Sequence, residues 1–281
     1  MTVGMLDGKV ALVTGAGRGF GAGIAQGLAR EGARVCLNDL DTPELAQTAT
    51  DIAAEGGEVL VCPADVSDFT AMLEVVQQTV ARWGRIDIVV SNAAIMPFIS
   101  FEETTPALWQ KMLDVNLTGV YNGVKAAWPY LKERGGHCMA IASGASVRGF
   151  YDEVVYCAAK HALEGFTKAL AMEAEPLNIA VNTMGPGKLI KPTSITRAEF
   201  DAFPPEKQAE YVDPVELAPA FVWLAAQPPA RFTGLRFDAG PLADAVAAEG
   251  YDFDFAPEKA TLYVEDFVAR QARRREWTKL G

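Results

Sequence analysis

Val10-Ala11-Leu12-Val13-Thr14-Gly15-Ala16-Gly17-Arg18-Gly19-Phe20-Gly21 passes in twelve residues from an apolar run to a turn holding four glycines. Ala22-Gly23-Ile24-Ala25-Gln26-Gly27-Leu28-Ala29 follows with helical spacing. The order is strand, glycine turn, helix start. Glycines let the backbone approach a pyrophosphate closely, and the first turn of a helix offers free N–H groups and the positive end of its dipole. The stretch predicts a dinucleotide site, with Gly15, Arg18, Gly19, Phe20 and Gly21 as candidate contacts.

The next apolar run, Ala33-Arg34-Val35-Cys36-Leu37-Asn38-Asp39, ends in a carboxylate about twenty residues beyond the turn. Asp39 is placed to accept hydrogen bonds from the ribose hydroxyls and to repel a 2′-phosphate, which favours NAD over NADP. Asp41 close by is a reminder that a strand-end acid is often merely solvated. Arg18 pulls toward a 2′-phosphate, or stacks on the adenine, and is weighted below Asp39.

At 281 residues with a net charge of −11, the chain has ample length for one α/β core and the wrong charge for nucleic acid or an anionic membrane surface. No apolar run approaches a membrane span and the start Met1-Thr2-Val3-Gly4-Met5-Leu6-Asp7 lacks a signal-peptide core, so a cytoplasmic location is expected. Cys36, Cys62, Cys138 and Cys157 show no Cys-x-x-Cys spacing and read as reduced thiols. With only His137 and His161, neither a histidine metal site nor a Ser-His-Asp triad is expected.

Onward, strand patterns at 58–62, 86–91, 137–142, 179–183 and 235–238 alternate with helical patterns at 69–83, 106–133, 154–175 and 215–226, the second interrupted near Pro129. Continuous apolar strands in a βαβ rhythm predict a single-domain, Rossmann-type, doubly wound parallel sheet of about seven strands with helices on both faces. Residues 1–240 form that domain and 241–281 an extension. Lys188 to Asp213, broken by Pro192, Pro204 and Pro205, reads as irregular.

The chemistry gathers at Tyr156-Cys157-Ala158-Ala159-Lys160. Four residues apart on a helix, the two side chains share a face, and a cation beside the phenol is expected to lower its pKa from about 10 toward general-base range.

Taken with its neighbours, the sequence resembles the short-chain dehydrogenase/reductase family in its short, non-extended form, over roughly residues 7 to 240. Thr14 to Gly21 matches the TGxxxGxG turn, Asp65-Val66 the adenine-contacting pair, and Ser91-Asn92-Ala93-Ala94 stands where NNAG is usual. Asn116 in Asp114-Val115-Asn116-Leu117 matches the active-site Asn, Ser143 lies thirteen residues before Tyr156, and Pro186-Gly187 matches the PG motif. The resemblance implies that Tyr156 exchanges a proton with a substrate hydroxyl as hydride moves to or from nicotinamide. It implies that Lys160 lowers the tyrosine pKa and holds the nicotinamide ribose, that Ser143 binds the substrate oxygen, and that Asn116 fixes a relay water. It also implies cofactor contacts from Asn92, Ala93, Ala94, Pro186, Gly187 and Leu189.

Two departures stand out. Ala94 replaces a glycine, and Lys191, with Thr193 two residues on, replaces a threonine that holds the carboxamide. Ile95, Met96, Phe98, Val147, Phe150, Tyr151, Met184, Leu189 and Ile190 flank the site and favour an apolar or cyclic alcohol or ketone. Arg148 is either a carboxylate anchor or an exposed loop residue. The expectation is a NAD-dependent oxidoreductase of secondary alcohols in a homo-oligomer. The alternatives are an NADPH-dependent carbonyl reductase and an inactive nucleotide-binding regulatory protein. Finally, Tyr251, Phe253 and Phe255 alternate with acids, and an apolar stripe at Tyr263, Val264, Phe267 and Val268 follows Pro257. An arm and a helix are expected there, docking over the 188–213 loop or on another subunit.

Overall fold

The computed structural model describes residues 4–192, 195, 197–253 and 255. Seven strands form one sheet: β1 (Val10–Thr14), β2 (Arg34–Asn38), β3 (Val59–Val61), β4 (Ile88–Ser91), β5 (Gly136–Ile141), β6 (Ile179–Gly185) and β7 (Arg236–Asp238). Their order is β3-β2-β1-β4-β5-β6-β7 and every pairing is parallel. Helices α1 (Gly19–Arg30), α2 (Pro43–Ala54), α3 (Phe69–Trp83), α4 (Pro106–Leu113), α5 (Gly119–Arg134), α6 (Val154–Ala174), α7 (Arg197–Asp201), α8 (Pro205–Gln208), α9 (Ala218–Ala226) and α10 (Ala239–Glu249) connect or flank them.

The strand period of two sorts side chains between two cores. Ala11 and Val13 of β1 face a cluster with Ile24, Leu28, Phe221 and Leu242, from α1, α9 and α10. Val10 and Leu12 face the opposite cluster with Met72, Val124 and Ala171, from α3, α5 and α6. Both faces are thus covered, which is why the strands read as unbroken apolar runs. The order reverses between β1 and β4, so a cleft opens at the carboxyl ends of those strands, where Thr14 and Ser91 end.

Several local expectations change. The helix over 106–133 is broken at Asp114–Thr118, a π-helical segment, and not at Pro129, which sits inside α5. Pro129 has no N–H to offer, and α5 continues past it to Arg134. Met184 turns into the core and is fully buried, so it does not line the site. The 188–213 stretch carries two short helices, α7 and α8. α2, which follows an N-cap at Thr42 and Pro43 in its first turn, had no counterpart in the periodicity reading.

The division at 240 falls inside α10, whose buried face (Leu242, Ala243, Val246) joins the same core as α1 and α9. Beyond it, Tyr251, Phe253 and Phe255 pack on that core. Phe253 stacks on Trp223 at 5.0 Å between centroids, and Phe255 meets Phe237 at 5.7 Å. The aromatic arm therefore covers α9 and β7 of its own chain. The helix expected beyond Pro257 lies outside the described residues. The four cysteines are free, and among the described residues no helix is long and apolar enough to cross a membrane and no His/Cys/Asp/Glu group could hold a metal.

Candidate active site

The glycine turn is pinned from across the sheet. Asn92, just past β4, donates its Nδ2 to the Thr14 carbonyl (3.0 Å) and the Gly15 carbonyl (2.9 Å). Thr14 Oγ1 accepts in return from the Asn92 and Ala93 N–H groups, at 3.0 and 3.2 Å. Gly15 has a φ of +63°, and a Cβ there would lie 2.7 Å from Ala93 Cα. A Cβ on Gly21 would be driven into the Gly15 carbonyl oxygen and the Asn92 amide. The turn tolerates no side chain at these points, and it leads into the N-terminus of α1, where the backbone can receive a phosphate.

Asp39 closes the other end of this cradle. Its Oδ2 accepts from the Gly17 N–H at 2.9 Å and its Oδ1 from the Leu40 N–H at 2.8 Å, so the carboxylate shapes the turn as well as bordering it. Gly17, Arg18, Asp39, Leu40 and Thr42 line one small cavity. A larger one of about 960 Å³ lies between Arg18, Gly19 and Gln26 on one side and Lys191, Phe200 and Tyr211 on the other. Asp65 is exposed and accepts from Ser67, whereas Val66 is buried and its carbonyl accepts from Asn122 at 2.8 Å. The donor set and the glycine cradle fit a dinucleotide.

Asn116 is fully buried in the π segment. Its Oδ1 accepts from the Ile95 N–H and its Nδ2 donates to the Ile95 carbonyl, both at 2.8 Å. The amide thus ties the wide helical turn to the 92–97 loop.

Ser143 follows β5 and caps a short helical turn: its Oγ accepts from the Ala145 N–H at 3.2 Å and its N–H donates to Ser146 Oγ at 3.2 Å. Tyr156 and Lys160 lie one turn apart on α6. Lys160, almost fully buried, donates from Nζ to the Ile141 carbonyl at 2.7 Å, and its Nζ stands 5.5 Å from the centre of the Tyr156 ring. Burial lowers the Lys160 pKa to about 8 against the opposing pull of Glu164. Burial pushes Tyr156 up to about 12, with a Ser143 hydrogen bond acting the other way. The direction is thus opposite to the expected lowering: desolvation of the phenolate is the largest influence, and it outweighs the Ser143 hydrogen bond.

Pro186 and Gly187 form the loop after β6. Gly187 has a φ of +65°, and the Pro186 carbonyl accepts from the Gly240 N–H at 2.9 Å. Leu189 is half exposed, and Lys191 bonds the Pro192 and Ile195 carbonyls; Thr193 lies outside the described residues. Phe98, Val147, Phe150 and Tyr151 are exposed, and the Arg148 guanidinium stacks on Phe150 at 5.1 Å. His161 is exposed, with Nδ1 on the Cys157 carbonyl, on the helix's outer side. Glu164 and Arg236, which periodicity passed over, form an ion pair at 2.7 Å beside Ser143. No local signal marked them, since α6 and β7 carry other charged residues as well.

A family model described as short chain dehydrogenase matches residues 9–202. The chain belongs to the short-chain dehydrogenase family. It is 36% identical over 244 residues to the trans-4-hydroxycyclohexanecarboxylate dehydrogenase of Sinomonas cyclohexanicum, covering 84% of this chain and 93% of that protein. It is 35% identical over 229 residues to the (-)-trans-carveol dehydrogenase of Rhodococcus erythropolis, covering 76% and 82%. Among solved structures, a carveol dehydrogenase from Mycobacterium avium in complex with NAD superposes with a TM-score of 0.75 at 30% identity, over 85% of this chain and 99% of that one. A metagenomic short-chain oxidoreductase in complex with NADP gives 0.70 at 30% identity, over 82% and 95%. As a short-chain dehydrogenase, this chain is an oxidoreductase that binds a nicotinamide dinucleotide.

Proposed function

We propose that this short-chain dehydrogenase oxidises a cyclic secondary alcohol to its ketone, and reduces it in reverse, with NAD as the preferred cofactor. The juxtaposition of Ser143, Tyr156 and Lys160 at the mouth of the β5 and β6 loops carries this reading. Two relatives named for alcohols on six-membered rings, and the exposed apolar side chains of Phe98, Val147 and Phe150, support the substrate class.

The cofactor, when bound, supplies the hydride acceptor or donor. The chain's residues handle the proton. Tyr156 hydrogen-bonds the substrate oxygen together with Ser143, accepts the hydroxyl proton during oxidation and returns it during reduction. Lys160 stands beside the phenol as a cation that favours the phenolate once it forms. Asn116 keeps the 92–97 loop at the right height.

Asp39 supports NAD, because its carboxylate sits against the Gly17 amide where a 2′-phosphate would bring a second negative charge. kcat/KM is expected to favour NAD over NADP by at least about tenfold, one repelled phosphate being worth about 1.4 kcal/mol. Initial rates followed at 340 nm with cyclohexanol-type alcohols and each cofactor test both halves of the proposal. Equal use of NADP overturns the cofactor choice, and turnover confined to acyclic or sugar alcohols overturns the substrate class.

A further inference from the structure

Behind the reacting hydroxyls lies a buried polar circuit with no obvious need to be there. Arg236 on β7 and Glu164 on α6 have side chains only 12% and 9% exposed, and Nη1 of the arginine is 2.7 Å from Oε1 of the glutamate. The other glutamate oxygen accepts from Thr183 Oγ1 at 3.1 Å, and Thr183 is the residue paired with Arg236 across the β6–β7 ladder. The second arm of the guanidinium, Nη2, donates to the Ser143 carbonyl at 2.9 Å. Gly185, next but one along β6, leaves the space for this: a Cβ there would lie 2.5 Å from an Asp238 carboxylate oxygen and 3.3 Å from Arg236 Nη2.

A planar guanidinium with two fixed arms is a ruler. One arm grips Glu164, eight residues beyond Tyr156 and four beyond Lys160, so on the stripe of α6 that carries both. The other grips the backbone of Ser143. We infer that Arg236 is a positioning residue, fixing the separation between the Ser143 and Tyr156 hydroxyls by bracing the end of β5 against α6. Burying a salt bridge is a poor way to gain stability, since desolvation consumes most of the attraction. Holding two reacting groups in register repays it differently, because a misplacement of about 1 Å in a reacting pair can cost about a hundredfold in rate.

The inference rests on Ser143 and Tyr156 being the reacting pair, and the test separates the two. Arg236→Met, Ser143→Ala, their double variant and Tyr156→Phe are compared for kcat, substrate KM, NADH dissociation constant and Tm. Arg236→Met is expected to lower kcat about tenfold or more while the NADH dissociation constant stays within about twofold. In the Ser143→Ala background the same change should cost less than about threefold, since its effect passes through Ser143. Arg236→Lys, which keeps the charge beside Glu164 without the two-armed reach, should fall between the methionine variant and the parent, and it serves if Arg236→Met fails to fold. A kcat left intact with only Tm lowered overturns the inference, as does full multiplication of the Arg236→Met and Ser143→Ala losses or a parental kcat in Arg236→Lys. Tyr156→Phe with retained turnover overturns the underlying reading instead.

Discussion

Tyr156 keeps its proton in the free chain because burial pushes its pKa up to about 12, against the lowering pull of the Ser143 hydrogen bond. Reduction, which needs that proton, is expected to proceed at a rate nearly independent of pH below about 8. Oxidation, which needs the phenolate, should accelerate as pH rises, approaching about tenfold per pH unit where deprotonation limits the rate. Initial rates in both directions between pH 6 and 10 check this, and an oxidation rate that falls with rising pH contradicts it. Tyr156→Phe should lower turnover about a hundredfold or more while NADH still binds, as fluorescence titration would report. The spacing of Tyr156 and Lys160 was legible in the sequence, since four residues on a helix define a face. The direction of the pKa shift was not, because desolvation depends on what packs around α6. Glu164 and Arg236 were illegible for a related reason: they lie 72 residues apart and meet only when β7 pairs with β6.

At the scale of elements, the π segment between α4 and α5 places Asn116 where it bonds both polar groups of Ile95. Asn116→Ala leaves an N–H and a carbonyl without those partners, and should destabilise the fold by about 3 kcal/mol and lower kcat. Urea titration with parallel kinetics decides, and an unchanged midpoint would show the two bonds to be dispensable. A break in the 106–133 helix was legible, but proline suggested the wrong place. α5 runs on past Pro129 to Arg134, whereas the wide turn accompanies Asn116's bonds to a loop 21 residues away, which periodicity does not register. The glycine turn was legible in full, because strand, turn and helix are contiguous. Gly21→Ala should weaken NADH binding by more than about tenfold, since the methyl meets the Gly15 carbonyl and the Asn92 clamp must give way.

Two large cores lie on either face of one parallel sheet among the described residues, and both the sensitivity to acid and the role of the last described aromatics rest on that packing. His137, on β5, is buried with Nε2 against the Gln227 carbonyl and Nδ1 lacking a hydrogen-bond partner, and burial lowers its pKa to about 4. Its folded pKa lies below its unfolded value of 6.5, so its contribution is present above pH 6.5 and lost as pH falls toward 4. His137→Gln should flatten the acid limb of a stability-against-pH curve by roughly 3 kcal/mol at pH 4; an equally steep limb in the variant refutes this. Truncation after Gly250 uncovers Trp223 by removing Phe253 and Phe255, and should lower Tm by roughly 5 °C. The aromatic alternation was legible as a face in need of a surface, but the choice of surface was not, since Trp223, Phe232 and Phe237 come together only in the folded sheet.

The clamp between Thr14 and Asn92 also bears on how the protein comes into being. The two residues are 78 apart, and β2, α2, β3 and α3 lie in the chain between them, so β4 meets β1 only by closing a long segment. A nascent chain that has exposed only its first eighty or so residues carries the entire glycine turn, yet lacks the amide that pins it. The pinned form of the turn is therefore expected only once the central strand pair has closed. From then on, cellular dinucleotide favours the folded form by mass action.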